Sequence, residues 1–90
     1  MSDYKKKSLV NTKKAHSLLK KITEMLEEEK YCIDIMQQNL AVIGLLKSAN
    51  QLLMEGHLNS CFKNAMKSNN KKRQDEIIKE LLQVTKLSGK

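Results

Sequence analysis

The stretch from Tyr31 to Phe62, YCIDIMQQNLAVIGLLKSANQLLMEGHLNSCF, constrains the fold more than any other part of this chain. It has no proline, and Gly44 is its one glycine before Gly56. Met36, Leu40, Ile43, Leu46 and Leu53 recur at steps of three, four or seven, which is helical spacing. Leu45, Ala49 and Leu52 widen that stripe into a face too broad for an isolated surface helix. A helix of this kind is expected to be buried against several neighbours.

The same stretch carries the chemistry. Cys32 stands at its start, and His57 and Cys61 at its end. Residues four apart on a helix lie one turn above each other, so His57 and Cys61 are expected to face the same way. Cys32 lies roughly 37 Å from His57 along a continuous helix at about 1.5 Å per residue. It cannot join the pair within its own helix. Two antiparallel copies side by side would bring the three together, making the site a property of a dimer. Two thiolates and an imidazole suit a soft ion of low coordination, Cu(I) above all. Zn(II) would want a fourth ligand, for which only His16 and the carboxylates are at hand. The bland alternative is that the cysteines are small buried hydrophobes and His57 a surface residue near a helix end.

Composition narrows the rest. Ninety residues with three glycines, no proline and no tryptophan favour one small all-α domain. A chain this short has little core of its own, and oligomerisation would supply one. The net charge of +7 favours a polyanionic partner, nucleic acid before an anionic membrane surface. No apolar run approaches the roughly 18 residues of a membrane span, and the lysine-rich start lacks a signal peptide's apolar core. A cytoplasmic protein is expected, with two free or metal-bound thiols rather than a disulfide. No nucleophile lies beside a general base in a glycine-bearing loop, so no enzyme is expected.

In chain order, residues 1–7 read as a flexible basic arm, and residues 8–90 as a single helical domain. Three helices are expected, over about 8–29, 32–67 and 72–87. The first has an apolar face of Leu9, Ala15, Leu18, Leu19, Ile22, Met25 and Leu26, with lysines in its first half and Glu24, Glu27, Glu28 and Glu29 in its second. Acids at that end oppose the helix dipole, so packing must hold the helix. Ser68-Asn69-Asn70 is the clearest linker. The third helix shows Ile77, Ile78, Leu81, Leu82, Val84 and Leu87, with Asp75 and Glu76 expected in its first turn; Ser88-Gly89-Lys90 reads as a frayed end. The middle helix is too long and apolar for a helix-turn-helix, so DNA contacts are expected from basic surface on the bundle.

Tyr31-Cys32-Ile33-Asp34, Gln37-Gln38, Ala41-Val42 and Leu52-Leu53-x-x-Gly56-His57-Leu58-x-x-Cys61, preceded by Glu27-Glu28-Glu29, resemble the copper-sensing operon repressor family. Its members are metal-responsive bacterial repressors built from three-helix chains. The resemblance implies an antiparallel four-helix-bundle dimer that assembles into a tetramer. It also implies Cu(I) held by Cys32 of one subunit and His57 and Cys61 of the other. Nickel and cobalt sensors of the family have a histidine where Cys61 stands, persulfide sensors lose the histidine, and formaldehyde sensors use an N-terminal proline. Tyr31 and a glutamate early in the third helix, here Glu76, would hydrogen-bond around the ligating imidazole.

The first helix departs from that family. Lys14-Ala15-His16-Ser17-Leu18 stands where an arginine-rich segment ending in glycine-glutamine is usual, Ile43 stands at a customarily basic position, and Arg73 is the sole arginine. Arginine reads guanine bidentately and lysine does not. Phosphate contacts fall instead to Lys5, Lys6, Lys7, Lys13, Lys14, Lys20, Lys21 and Lys47. The expected function is a Cu(I)-responsive repressor that binds operator DNA when metal-free and is released by Cu(I). The rival readings are a Cu(I) buffer of the same fold that has lost its operator, and a repressor that responds to thiol oxidation or persulfide.

Overall fold

The computed structural model describes residues 1–88, and they are helical almost throughout, with no strand among them. The chain divides into two compact units, Met1–Glu55 and Gly56–Lys90. The all-α, three-helix reading holds. Helix α1 spans Asp3–Glu27 and α2 spans Cys32–His57; a single π-helical turn, Leu58–Phe62, leads into a short α3, Lys63–Lys67, and α4 spans Lys71–Ser88. Gly89 and Lys90, placed at the frayed end by the sequence, lie outside the described residues; Ser88 closes α4.

The first unit is an antiparallel helical hairpin with a narrow seam. Seven residues of α1 are less than fully exposed: Tyr4, Ser8, Asn11, Ala15, Leu18, Ile22 and Met25. Their steps alternate between four and three, the spacing of the inner positions of a coiled coil. Ile35, Gln38, Val42, Leu45, Ala49 and Leu52 continue the same pattern on α2. Ala15, Ile22, Ile35 and Val42 form the buried centre, with Leu18, Met25 and Leu45 packed against it. The buried residues fall seven apart on each helix, with the large ones, Ile22, Ile35 and Val42, toward the hairpin loop and the small ones, Ala15, Ser8 and Ala49, away from it. Small side chains let backbones approach. At the far end the Ser8 hydroxyl donates to the Ala49 carbonyl of the opposite helix at 3.2 Å.

Helix α1 begins earlier than its sequence suggests. Residues 1–7 are expected as a flexible arm and the helix start near residue 8, but the helix is already formed at Asp3. Ser8 does not cap a helix; it is 5% exposed and inside the seam. Asp3 sits in the first turn, where its charge complements the dipole, and pairs with Lys7 at 3.4 Å.

The single chain supplies only part of the burial expected of α2. Its buried side is the narrow stripe of Ile35, Val42, Leu45, Ala49 and Leu52. Met36, Leu40, Ile43, Leu46 and Leu53, the stripe first read from the sequence, are 38–66% exposed. One neighbour covers one face, and the other face remains open within the chain.

Helix α1 ends two residues before the expected Glu29. The Glu29 amide donates to Leu26 at 3.1 Å and the Lys30 amide to Met25 at 2.9 Å, a Schellman closure. Its left-handed position, usually glycine, is Glu29 at φ 54°. In the second unit α3 packs on α4, and Ala65 and Ile77 are buried, Ile77 completely. Ser68 ends α3 and Asn70 starts α4, its Oδ1 accepting the Arg73 amide at 3.1 Å. The Gln74 side-chain amide donates to the Ser68 carbonyl at 2.6 Å and reaches the Met66 carbonyl at 3.4 Å, tying the two helices together. Because α4 starts at Lys71, its first turn holds no acid, contrary to the reading of Asp75 and Glu76. The Asn70 cap therefore works against three consecutive basic residues.

Two stability changes are expected in urea titrations at fixed protein concentration. Glu29→Gly should raise the unfolding free energy by about 1 kcal/mol, since glycine enters the left-handed region without a Cβ penalty. Asn70→Ala should lower it by about 1 kcal/mol through loss of the cap.

Candidate metal centre and basic face

Each sequence-identified donor has a defined place. Cys32 is the first residue of α2, and its thiol is free and exposed. The Tyr31 carbonyl accepts the Ile35 amide at 3.3 Å, so Tyr31 opens the helix by its backbone, while its side chain is 68% exposed. His57 is the last residue of α2 and half-buried. Its backbone angles, φ −63° and ψ −46°, carry the helix into the wide turn without a break. Cys61 lies in that turn with an exposed thiol. His57 and Cys61 therefore stand at and within one turn. Among the described residues, no three His, Cys, Asp or Glu side chains cluster as a metal site within the chain would require.

The turn itself escaped the sequence reading, which treated residues 32–67 as an ordinary helix. A π turn closes its hydrogen bonds five residues apart instead of four, and such turns are common at functional sites. Inside it the Ser60 hydroxyl donates to the Gly56 carbonyl at 2.6 Å and lies 3.8 Å from the Cys61 sulfur. A serine four residues after a glycine is the only trace of this in the sequence, and it is a weak one.

Glu76, on α4, is exposed and faces Arg73 at 3.7 Å; Arg73 also reaches Glu80 at 3.7 Å. The guanidinium of the sole arginine is thus engaged by two carboxylates of its own helix.

The lysines show an order that the sequence reading did not extract. Lys6, Lys13 and Lys20, and likewise Lys7, Lys14 and Lys21, repeat every seven residues, in step with the buried seam of α1. They form two exposed rows, each with a charge about every 10.5 Å. Lys13, Lys14 and Lys21 border an open groove of about 510 Å³ with Ser17, Leu18 and Leu45. Lys5 is exposed on the first turns of α1. Lys47 is exposed on α2, four residues beyond Ile43 in the open apolar stripe. No helix among the described residues is long and apolar enough to cross a membrane.

A family model described as metal-sensitive transcriptional repressor matches residues 4–86. The chain is 34% identical over 88 residues to the copper-sensing transcriptional repressor CsoR of Mycobacterium ulcerans, covering 98% of the chain and 73% of that relative. Similarity to the CsoR of Bacillus subtilis is 34% over 74 residues, 82% of the chain and 70% of the relative. Against the CsoR of Mycobacterium bovis BCG it is 37% over 62 residues, 69% of the chain and 52% of the relative.

Proposed function

The chain belongs to the family of metal-sensitive transcriptional repressors, and from that premise we propose that it is a Cu(I)-responsive repressor acting on operator DNA in the cytoplasm. The family is one of regulators, not enzymes. Copper is the metal in the names of the relatives. Two exposed thiols and one imidazole are the donor set that a soft monovalent ion prefers, and hard cations would select oxygen ligands instead.

The observation that carries this reading is the open face of α2. Ile33, Met36, Leu40, Ile43, Leu46 and Leu53 run along the helix that has Cys32 at one end and His57 at the other, and all are 38–66% exposed. Burying a side chain of this size contributes roughly 1.5–3 kcal/mol, so an uncovered row of six favours a partner. A second copy docked antiparallel through this face covers both rows at once. It also carries Cys32 of one subunit to His57 and Cys61 of the other. Two such dimers would make the tetramer. Tyr31, next to Cys32, and Glu76, released from or shared with Arg73, would hydrogen-bond around the imidazole and link ligand capture to α4.

On the basic side, Lys5, Lys6, Lys7, Lys13, Lys14, Lys20 and Lys21 would contact phosphates, with the sevenfold rows of α1 tracking the duplex; Lys47 lies within the α2 face that the second copy would cover and drops out of this set. Capture by Cys32, His57 and Cys61 would then re-pose the helices and weaken DNA binding. Couplings of this type are typically about 1–3 kcal/mol, or roughly 5–150-fold.

The test is a fluorescence-anisotropy titration of the reduced protein against its own promoter, with and without one equivalent of Cu(I) per subunit. Tight binding that copper relieves is expected, with the relief lost in Cys32→Ala. His57→Ala should keep a two-thiolate site and lose regulation, and an undiminished copper response there would defeat the mechanism. Absence of specific binding alongside tight copper uptake would turn the reading to a Cu(I) buffer. In salt titrations of duplex binding, Lys14→Gln with Lys21→Gln should reduce the slope of log K against log salt by about 0.9 per lysine. An unchanged slope would remove these two from the DNA face.

A further inference from the structure

The wide turn at Leu58–Phe62 requires a cause. Elsewhere in the chain hydroxyls also donate to carbonyls four residues back: Thr12 to Ser8 at 2.9 Å, Thr23 to Leu19 at 3.0 Å and Thr85 to Leu81 at 2.9 Å. Each of those segments stays α-helical. A back-bonded hydroxyl alone does not open a helix. Ser60 differs in three ways: it is a serine where the others are threonines, its bond is shorter, at 2.6 Å, and its acceptor is the carbonyl of a glycine, Gly56. Glycine is the residue whose backbone is least held to α geometry. A carbonyl already filled by a hydroxyl is a poorer acceptor for the amide four residues on. Amides displaced from such acceptors find carbonyls five residues back, which is the π pattern.

His57 immediately precedes this turn and Cys61 is its fourth residue. In an α-helix four steps overshoot a full turn by about 40°. In the wider turn the same four steps fall short of one. Opening the turn therefore rotates Cys61 about the helix axis relative to His57. The hydroxyl that closes onto Gly56 also lies 3.8 Å from the Cys61 sulfur, so the group that fixes the turn touches the ligand.

We propose that Ser60, acting with Gly56, is a positioning residue: by holding the helix in its wide form it sets the separation and angle between His57 and Cys61. It binds no metal itself. The inference rests on the reading of His57 and Cys61 as copper ligands, but its first half concerns the metal-free chain alone.

The experiment uses the full reduced chain as wild type, Ser60→Ala and Ser60→Thr, the last keeping the hydroxyl. In the metal-free proteins, NMR couplings across the backbone hydrogen bonds that close the turn at 58–62 should show five-back pairing in wild type and Ser60→Thr. They should shift to four back in Ser60→Ala; retention of the five-back pattern in Ser60→Ala overturns the proposal. Cu(I) is then titrated against a competing chelator, and X-ray absorption of the bound copper is recorded. Ser60→Ala should lose roughly 10–100-fold in affinity with altered nitrogen and sulfur distances, and Ser60→Thr should recover both. Wild-type affinity and an unchanged spectrum in Ser60→Ala also overturn the proposal. A wild type that takes up no Cu(I) overturns the ligand reading and the metal half of this inference with it, while the metal-free couplings decide by themselves whether Ser60 holds the turn.

Discussion

The seam between α1 and α2 is the constraint on which the rest of the molecule depends. It is narrow, with the most buried positions falling seven apart on each helix, and its side chains diminish from Ile22 and Ile35 to Ser8 and Ala49. A seam of that width occupies only one side of α2. The helix has apolar residues on two sides, so burying one leaves the other in water. Ser8 adds a polar restraint to an otherwise non-directional contact. Its hydroxyl meets a backbone carbonyl of the other helix, and a slip of either helix would leave a buried hydroxyl without a partner. Register, and with it the set of α2 residues left open, is fixed by this arrangement.

The broad plan was legible in the sequence because helices announce themselves by periodicity and breaks by turn formers. The break at Glu29–Tyr31 and the linker at Ser68-Asn69-Asn70 both fall where the structure has them. Which of two equally periodic stripes on α2 is buried was not legible from hydrophobicity, because Met36, Leu40 and Ile43 are as apolar as Ile35, Val42 and Leu45. The deciding signal was size: only the second stripe includes an alanine opposite a serine, as close approach demands. The helix start was misplaced for a related reason. Serine is favoured at caps and tolerated in tight seams, and sequence alone does not separate the two uses.

The site divides in the same way. Cys32, His57 and Cys61 stood out by residue type, since few side chains bind soft metals. The turn that holds the last two did not, because it depends on competition for a single carbonyl. The lysine rows lay between these cases. Their sevenfold repeat is plain once the seam supplies the phase, and invisible when lysines are counted only as charge. Arg73 illustrates the limit of counting residue types: the one side chain suited to reading guanine faces two glutamates of its own helix.

The closure at Glu28–Lys30 joins two long helices through a handful of residues, and this has a kinetic consequence. Contacts formed across such a loop are local in sequence, so the search for them is short and helical hairpins fold in microseconds to milliseconds. The buried centre of the seam draws only on residues of α1 and α2, so closing the hairpin does not wait on α4. The apolar row on the outer side of α2 is therefore presented as soon as the hairpin forms, ahead of any slower step that covers it.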